Sequence, residues 1–236
     1  MSIWVEAMLE VENIHTFYGD SHILFDVSLN VKEKEIVALL GRNGVGKTTT
    51  LRSIMGLTKP KEGKITLNGK DITNEPISKR AKIGMGYVPE DRGIFPGLTV
   101  HENLILAGVG AGTTGDYEDT FRYFSELKKY THNKAGRLSG GEQQMLAVGR
   151  ALIGKKHLIM LDEPTQGLAP KIVERLAQAI KTIKNETAVL IVEQNTNLAL
   201  DMADRVYIMR DGRIVFSGKP EEVRENENVQ AYLVIS

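Results

Sequence analysis

The chain of 236 residues carries 30 lysines and arginines against 30 aspartates and glutamates, and 42% of its residues are hydrophobic. This length suits one large or two small packed units of a globular protein. Because the net charge is balanced, the protein as a whole does not attract nucleic acid or anionic lipid. Any polyanion must therefore be held by a specific binding site. The absence of cysteine excludes disulfides and thiolate chemistry and is compatible with a reducing cytosol.

No membrane-crossing or targeting segment is expected. The N-terminal stretch MSIWVEAM lacks the basic and long apolar parts of a signal peptide, and no apolar run approaches the roughly 20 residues that cross a bilayer. Any membrane location must therefore depend on other chains.

Short runs of valine, isoleucine and leucine alternate with segments of helical periodicity, a pattern typical of an α/β protein with a largely buried sheet. The predicted strands cover residues 9–14, 27–31, 36–40, 64–67, 85–88, 158–161, 188–192, 206–209 and 213–216. The predicted helices begin near Lys47, Val100, Tyr117, Ser139, Pro170, Asn197 and Pro220. A mostly helical section over 89–154, broken by the glycine-rich tract 108–115, predicts an inserted helical lobe with a flexible joint.

The first chemical motif, GRNGVGKT, follows the predicted strand 36–40. It satisfies the phosphate-binding pattern G-x-x-x-x-G-K-[ST] in a strand, loop and helix context, whereas an accidental glycine-rich turn would lack that context. Backbone N–H groups and the positive end of the following helix would face the phosphates. We expect Lys47 to neutralise the phosphates of a nucleoside triphosphate and Thr48 to ligate Mg²⁺. The complete cradle is Gly41, Arg42, Asn43, Gly44, Val45, Gly46, Lys47, Thr48 and Thr49.

A second motif, HLIMLDEP, is an apolar strand that ends in two adjacent carboxylates. In a P-loop protein the carboxylate at this strand end holds Mg²⁺, and the next one can polarise the attacking water. We therefore assign Asp162 to the metal and Glu163 to the general base. Without the phosphate-binding loop upstream, the same pair would indicate a solvated turn.

The third motif, LSGGEQQ, opens a helical pattern. Ser139 and Glu142 have the spacing of a capping box, and the glycines leave backbone N–H groups open to an anion at the helix N-terminus. Taken alone, this motif would indicate only where a helix begins.

The order of these three motifs resembles the ATP-binding cassette (ABC) family over essentially the whole chain. The resemblance implies an α/β P-loop NTPase cassette with a mixed sheet, an antiparallel β subdomain and an inserted helical subdomain. It implies one ABC ATPase domain over 1–236. Within it, 1–89 and 155–236 would form the nucleotide-binding core with the β subdomain, and 90–154 the helical signature subdomain.

In that family two cassettes join head to tail, and the signature of one closes on the ATP of the other. The resemblance thus implies that a signature of four residues serves a partner's ATP, namely Ser139, Gly140, Gly141 and Glu142. The string TQGLAP falls at the loop that contacts across the dimer. Tyr18 matches the aromatic position that stacks on adenine, with an ordinary strand-end tyrosine as the alternative.

Two positions depart from the usual family pattern. Glu90 stands where most cassettes have a glutamine that reaches Mg²⁺ and the transmembrane partner, and Gln194 stands where most have a histidine at the γ-phosphate. We expect Glu90 to lie by the metal and to sense the membrane partner. We expect Gln194, in AVLIVEQN, to face ATP and to take part in hydrolysis with Glu163 and Lys47. The alternative for Gln194 is that it caps the next helix.

The strings YVPED, TVHENL, GLAP and IVEQN are similar to LivF-type ATPases of branched-chain amino acid importers. That similarity implies an ATPase that uses ATP and Mg²⁺ at the cytoplasmic face of the cell membrane, as a peripheral subunit. Its partners would be a second ABC ATPase subunit, two transmembrane permease subunits and, indirectly, a substrate-binding protein. We predict that the two cassettes form a heterodimer.

Three other functions compete with this interpretation. Urea and short-amide importers share much of the pattern, and LLGRNGVGKTT with SHIL leans slightly toward them. A soluble mechanical cassette acting on nucleic acid is disfavoured by the neutral charge and the lack of a coiled-coil or basic arm. A GTPase switch is disfavoured because the chain has no N-K-x-D motif to read guanine.

Overall fold

A six-stranded sheet lies at the centre of the computed structural model, which describes residues 7–113 and 117–233. In spatial order its strands are β10 (Arg213–Gly218), β9 (Arg205–Arg210), β3 (Ile36–Leu40), β8 (Ala188–Glu193), β7 (Leu158–Asp162) and β6 (Met85–Val88). The strands β9, β3, β8, β7 and β6 are parallel, and β10 pairs antiparallel with β9. Strands β3, β7 and β8 are buried along their whole length, because both faces of the sheet are covered.

A four-stranded antiparallel sheet packs toward one face of the central sheet. Its strands, in spatial order, are β2 (Ser21–Lys32), β1 (Ala7–Tyr18), β4 (Glu62–Leu67) and β5 (Lys70–Asp71). Between the sheets lies helix α1 (Lys47–Met55), whose Leu51 and Ile54 share a hydrophobic cluster with Leu9 of β1. The odd-numbered residues of β3, Val37 and Leu39, complete this cluster, and the even-numbered ones face the other way.

Helices cover the opposite face. They are α3 (Val100–Ala111), α4 (Glu118–Tyr123), α5 (Gly140–Leu152), α6 (Pro170–Ile183), α7 (Thr196–Met202), α8 (Pro220–Glu225) and α9 (Glu227–Gln230). Short 3₁₀ turns at Ser125–Tyr130 and Ala135–Arg137 join α4 to α5, and α2 (Ile77–Lys82) precedes β6. A second hydrophobic cluster joins these helices to the sheet through residues such as Ala38, Leu146 and Ile180. Among the helices of the described ranges, none is long and apolar enough to cross a membrane.

All nine predicted strands are confirmed, although β1 and β2 extend well beyond the predicted 9–14 and 27–31. The helices predicted near Tyr117, Ser139 and Asn197 begin within one residue of those positions. The short elements α2, β5 and α9 have no counterpart among the predicted elements. Helices α3, α4 and α5 lie inside 90–154, while the division into subdomains stays a prediction.

The glycine-rich tract breaks the helical section later than predicted. Helix α3 continues through Gly108 and Gly110 to Ala111, and the break begins at Gly112, which has a positive φ of 75°. A glycine costs a helix only about 1 kcal/mol relative to alanine, so isolated glycines do not by themselves end it. Residues 114–116, at the end of the tract, lie outside the described residues.

The register of the central sheet brings three loops to one edge. Leu40 at the end of β3 stands opposite Glu193 at the end of β8, and Asp162 at the end of β7 stands opposite Val192. The segments that follow these strands therefore meet at the carboxyl edge of the sheet, where open α/β proteins bind ligands.

Candidate functional site

The loop between β3 and α1 has the geometry of a phosphate cradle. Gly41 has a φ of 149°, and a Cβ atom there would lie 2.4 Å from the backbone oxygen of Met209. Gly46 has a φ of 110° and forms the N-cap of α1. Because a side chain would clash at the first position and be strained at the second, both need glycine. The loop thus runs tightly from the strand into the N-terminus of α1.

Lys47 folds back over this loop. Its Nζ donates to the backbone oxygens of Gly41 at 2.8 Å and Arg42 at 2.9 Å, and its side chain is 4% exposed. Burial lowers the pKa of Lys47, while the negative charges of Glu163 and Asp162 act in the opposite direction. The lysine is thus a buried cation in a group of acidic side chains.

Asp162 is held by two hydroxyl groups. Thr48 Oγ1 donates to Oδ1 at 3.1 Å, and the Tyr87 hydroxyl donates to Oδ2 at 3.2 Å. Burial raises the pKa of Asp162, and these two hydrogen bonds act in the opposite direction. Within the described residues no group of three or more His, Asp or Glu side chains could by itself hold a metal ion. The neighbouring oxygens of Thr48 and Asp162 nevertheless fit Mg²⁺, which prefers hard oxygen ligands and takes few of them from protein.

Glu163 and Gln194 contact each other directly. The Gln194 Nε2 donates to Glu163 Oε2 at 2.5 Å, and Lys47 Nζ lies 3.8 Å from Oε1. Glu163 has a φ of 47°, a left-handed conformation that non-glycine residues adopt mainly where the surroundings enforce it. The alternative role of Gln194 as a helix cap is wrong, because the side chain of Asn195 caps α7 by accepting from the Leu198 N–H.

Most of the predicted nucleotide residues line one cleft of about 450 Å³. Those at the cleft are Tyr18, Asn43, Gly44, Gly46, Lys47, Thr48, Thr49, Glu90, Glu163 and Gln194. Tyr18 is 44% exposed at the end of β1, which leaves its ring free to receive a base. Arg42 and Val45 face a neighbouring cavity of about 570 Å³ instead.

The predicted signature residues form the N-terminus of α5. Ser139 Oγ accepts from the Glu142 N–H, and a Glu142 carboxylate oxygen accepts from the Ser139 N–H at 2.8 Å, which completes the predicted capping box. Burial alone would raise the pKa of Glu142, but the hydrogen bonds from Ser139 and Tyr130 together hold this pKa below its ordinary value. Ser139 and Gly140 are exposed. Among the described residues, those that line the cleft do not include Ser139, Gly140 or Gly141.

Three contacts at the site involve Tyr87 or Glu193, for which the sequence motifs predict no role. The Tyr87 hydroxyl holds Asp162, and the buried Glu193 accepts both donors of Thr165. A polar residue at the end of an apolar strand, as in VEQN, is the only sequence signal for Glu193. Tyr87 lies inside β6 and carries no comparable signal.

The model of the ABC transporter family matches residues 24–166. The chain is 40% identical to a probable branched-chain amino acid transport ATP-binding protein LivF of Archaeoglobus fulgidus, covering 94% of this chain and 97% of that protein. It is also 40% identical to the high-affinity branched-chain amino acid transport ATP-binding protein BraG of Pseudomonas aeruginosa, covering 96% and 99%.

Relatives with another cargo are also similar. The lipopolysaccharide export system ATP-binding protein LptB of Haemophilus influenzae is 36% identical, with 95% of each chain covered. Among solved structures, a nucleotide-free ATP-binding cassette from an ABC transporter matches with a TM-score of 0.86 and 25% identity, covering 98% of this chain and 100% of that one.

Proposed function

Because the chain belongs to the ABC transporter family, whose ATP-binding subunits hydrolyse ATP, we propose that it powers import of branched-chain amino acids or related small polar solutes. One observation carries the hydrolytic assignment. Residues of the phosphate cradle and the hydrogen-bonded pair Glu163–Gln194 meet at one cleft, and Asp162 accepts a hydrogen bond from Thr48 at that cleft.

ATP occupies this cleft in our proposal, with its phosphates on the loop 41–48 and its adenine on Tyr18. Lys47 leaves the carbonyl oxygens that it now contacts and turns to the β- and γ-phosphates, a stronger charge-assisted interaction. Thr48 and Asp162 would hold Mg²⁺, and Glu90 lies near them at the cleft. The metal supplies positive charge that offsets the triphosphate beside the acidic side chains.

Hydrolysis begins when Glu163 accepts a proton from water. The water oxygen bonds to the γ-phosphorus while the bond from phosphorus to the bridging oxygen breaks, giving ADP and phosphate. Gln194 keeps the Glu163 carboxylate oriented through its amide hydrogen. Lys47 stabilises the charge that develops on the phosphate oxygens.

A second cassette completes the site. The exposed N-terminus of α5 presents Ser139 and Gly140 to solvent and not to the cleft of its own chain. Backbone N–H groups at a helix N-terminus bind phosphate well. In our proposal this signature closes on the ATP of a partner cassette, whose own signature closes on the cleft of this chain.

Membrane subunits would contact the helical part of the chain. Helix α3 exposes Ile105, Leu106 and Val109, and Phe95 in the segment before it is also exposed. Apolar side chains grouped on a surface mark a protein interaction site. Glu90, between β6 and α3, would link this surface to the cleft. The chain would thus sit peripherally at the cytoplasmic face of the membrane, held there by two permease subunits.

The substrate class rests on relatives and on motifs. Both 40% identical relatives carry names of branched-chain amino acid transport. The strings SHIL and LLGRNGVGKTT keep urea and short amides as the second candidate. Other subunits select the solute, so the chain itself constrains only the solute class.

The hydrolytic assignment is tested with Lys47→Ala in the assembled transporter. We expect ATP turnover to fall by at least about 100-fold, because the variant loses a positioned charge at the phosphates. Its circular dichroism and melting temperature should stay near those of the wild type. Lys59→Ala, which removes an exposed lysine outside the cleft, is the matched control and should retain full turnover. Near-normal turnover in a folded Lys47→Ala protein would contradict the assignment.

The substrate class is tested by uptake into membrane vesicles. The vesicles contain the chain together with the permease subunits, second cassette and binding protein that are encoded by neighbouring genes. Radiolabelled leucine, urea and acetamide are supplied in parallel with ATP inside. We expect ATP-dependent leucine uptake. Uptake of urea or acetamide without leucine would replace our first candidate with the second.

A further inference from the structure

A buried carboxylate that the proposed hydrolysis does not use lies at the end of β8. Glu193 is 3% exposed and stands opposite Leu40 in the central sheet. No lysine or arginine in the described ranges forms an ion pair with it. Burying a carboxylate without a cation is costly unless hydrogen bonds replace the lost water. Its donors therefore show what it holds in place.

The hydrogen-bond donors come from the loop after β7. Both the backbone N–H and the hydroxyl of Thr165 reach Glu193 Oε1, at 3.2 Å and 2.8 Å. Burial raises the pKa of Glu193, and these hydrogen bonds act in the opposite direction. Because Glu193 is the last residue of β8, its carboxylate joins the loop after β7 to the segment that follows β8.

Each of these segments carries one member of the hydrolytic pair. The loop after β7 begins with Glu163, whose N–H donates to the Val192 oxygen at 2.9 Å, and turns back through a Gln166 N–H bond to the Glu163 oxygen. The segment after β8 begins with Gln194, directly after Glu193. The position of Gln194 relative to Glu163 therefore depends on how the two segments are fixed to each other.

We propose that Glu193 is a positioning residue that fixes the loop 163–168 relative to Gln194, and so sets how Gln194 holds the Glu163 carboxylate. This inference rests on the proposed function, which assigns that pair to hydrolysis.

Three variants test this role in the assembled transporter. Thr165→Val removes only the hydroxyl donor, Glu193→Ala removes the acceptor, and Glu193→Gln keeps an oxygen that can accept from Thr165. We expect Thr165→Val and Glu193→Ala to lower kcat by about ten-fold, since each loses hydrogen bonds to a charged group. The KM for ATP should change less than about two-fold because the phosphate cradle is untouched. Glu193→Gln should recover most of the rate.

The matched control is Thr187→Val. Thr187 is a buried threonine one residue before β8, and its hydroxyl donates to the Lys156 oxygen at 3.3 Å. The two threonine variants lose the same group at the same burial, but the Thr165 hydroxyl bonds to the last residue of β8, whereas Thr187 precedes its first residue. We expect both to lower the melting temperature, but only Thr165→Val to lower kcat.

A double-mutant cycle separates positioning from general destabilisation. Because Glu193 acts through Gln194, the double variant Glu193→Ala/Gln194→Ala should be no slower than the slower single variant. Rate losses that multiply, or a normal kcat in Thr165→Val, would overturn the inference and leave the proposed function intact. If Glu193→Ala does not fold, Thr165→Val with Gln194→Ala serves the same cycle. A wild-type complex that does not hydrolyse ATP would overturn the proposed function, and this inference with it.

Discussion

At the residue scale, the carboxylate of Glu163 is approached from both sides. Gln194 donates to one oxygen, and Lys47 lies near the other. Glutamine carries no charge and cannot store a proton, so it can orient the base but cannot replace it. When a triphosphate draws Lys47 away, Gln194 is the side chain that still fixes the direction of the carboxylate.

We therefore expect Gln194→Ala and Glu163→Gln to differ strongly in rate. Loss of a general base costs on the order of 10²- to 10⁴-fold. Gln194 is exposed, so water can replace its amide, and the loss should be that of an ordinary hydrogen bond, about 0.5–1.5 kcal/mol or a slowing of roughly 2- to 12-fold for Gln194→Ala. The measurement is single-turnover ATP hydrolysis in the assembled complex, with the phosphate-binding loop of the partner cassette disabled.

Gln230→Ala, which removes an exposed amide on α9, is the control for this comparison and should leave the rate unchanged. Equal losses in Gln194→Ala and Glu163→Gln would make Gln194 a full member of the reacting group. The order of importance that we assign to the two residues would then be wrong.

The sequence predicted the residues of this cleft that belong to contiguous motifs, because a short string such as GRNGVGKT defines both their chemistry and their local geometry. It did not predict contacts between distant strings. The Tyr87 to Asp162 hydrogen bond spans 75 residues, and the Thr165 to Glu193 bond spans 28. Such pairs depend on strand order and register, which the individual strings do not contain.

At the element scale, the strands were predictable and α2 was not. Runs such as IVALL and AVLIV are buried on both faces and show as unbroken apolar sequence. Helix α2 reads ISKRAK, which has no apolar periodicity. It is tied to the fold by Arg80, a fully buried side chain whose guanidinium donates to backbone oxygens of Ser53, Ile54, Thr73 and Glu75. The first two of these lie in the last turn of α1.

We expect Arg80→Ala to destabilise the protein by at least about 3 kcal/mol. The substitution leaves several buried carbonyl oxygens without donors and opens a cavity beside Gly56, where α1 ends. The free energy of unfolding is measured by urea denaturation of the purified chain. Arg80→Lys should recover only part of the loss, because one ammonium cannot reach all four oxygens.

Lys79→Ala, one position earlier on the same helix, is the control. Lys79 is half exposed and pairs with Glu75, so its loss should change the stability by no more than about 0.5 kcal/mol. Similar stabilities for Arg80→Ala and Lys79→Ala would show that the buried guanidinium does not hold α2 and α1 together.

At the scale of the whole molecule, the chain contains the two parts that our proposal assigns to an ATP site but does not bring them together. The phosphate cradle lies at the cleft, whereas Ser139 and Gly140 are exposed at the N-terminus of α5 and do not line it. The alternation of apolar runs with helical segments predicted the α/β architecture, because alternating strands and helices leave few ways to cover a sheet. The sequence of one chain does not contain the surface of its partner, so it could not specify which cassette completes the site.

We expect that partner to be a different cassette, one that keeps the usual histidine where this chain has Gln194. With Glu90 and Gln194 at the cleft, the chain has a neutral amide and an extra carboxylate around its own triphosphate, which weakens the electrostatic stabilisation of ATP. A partner with the usual residues would supply one site of ordinary strength. The purified chain should accordingly be a monomer, or a weak dimer that forms only with ATP. Light scattering measures this on the Glu163→Gln variant, which keeps the bound ATP from being hydrolysed. Native mass spectrometry of the transporter, purified from its own membrane, should find one copy of this chain and one of another cassette. Two copies of this chain in that complex would refute the heterodimer.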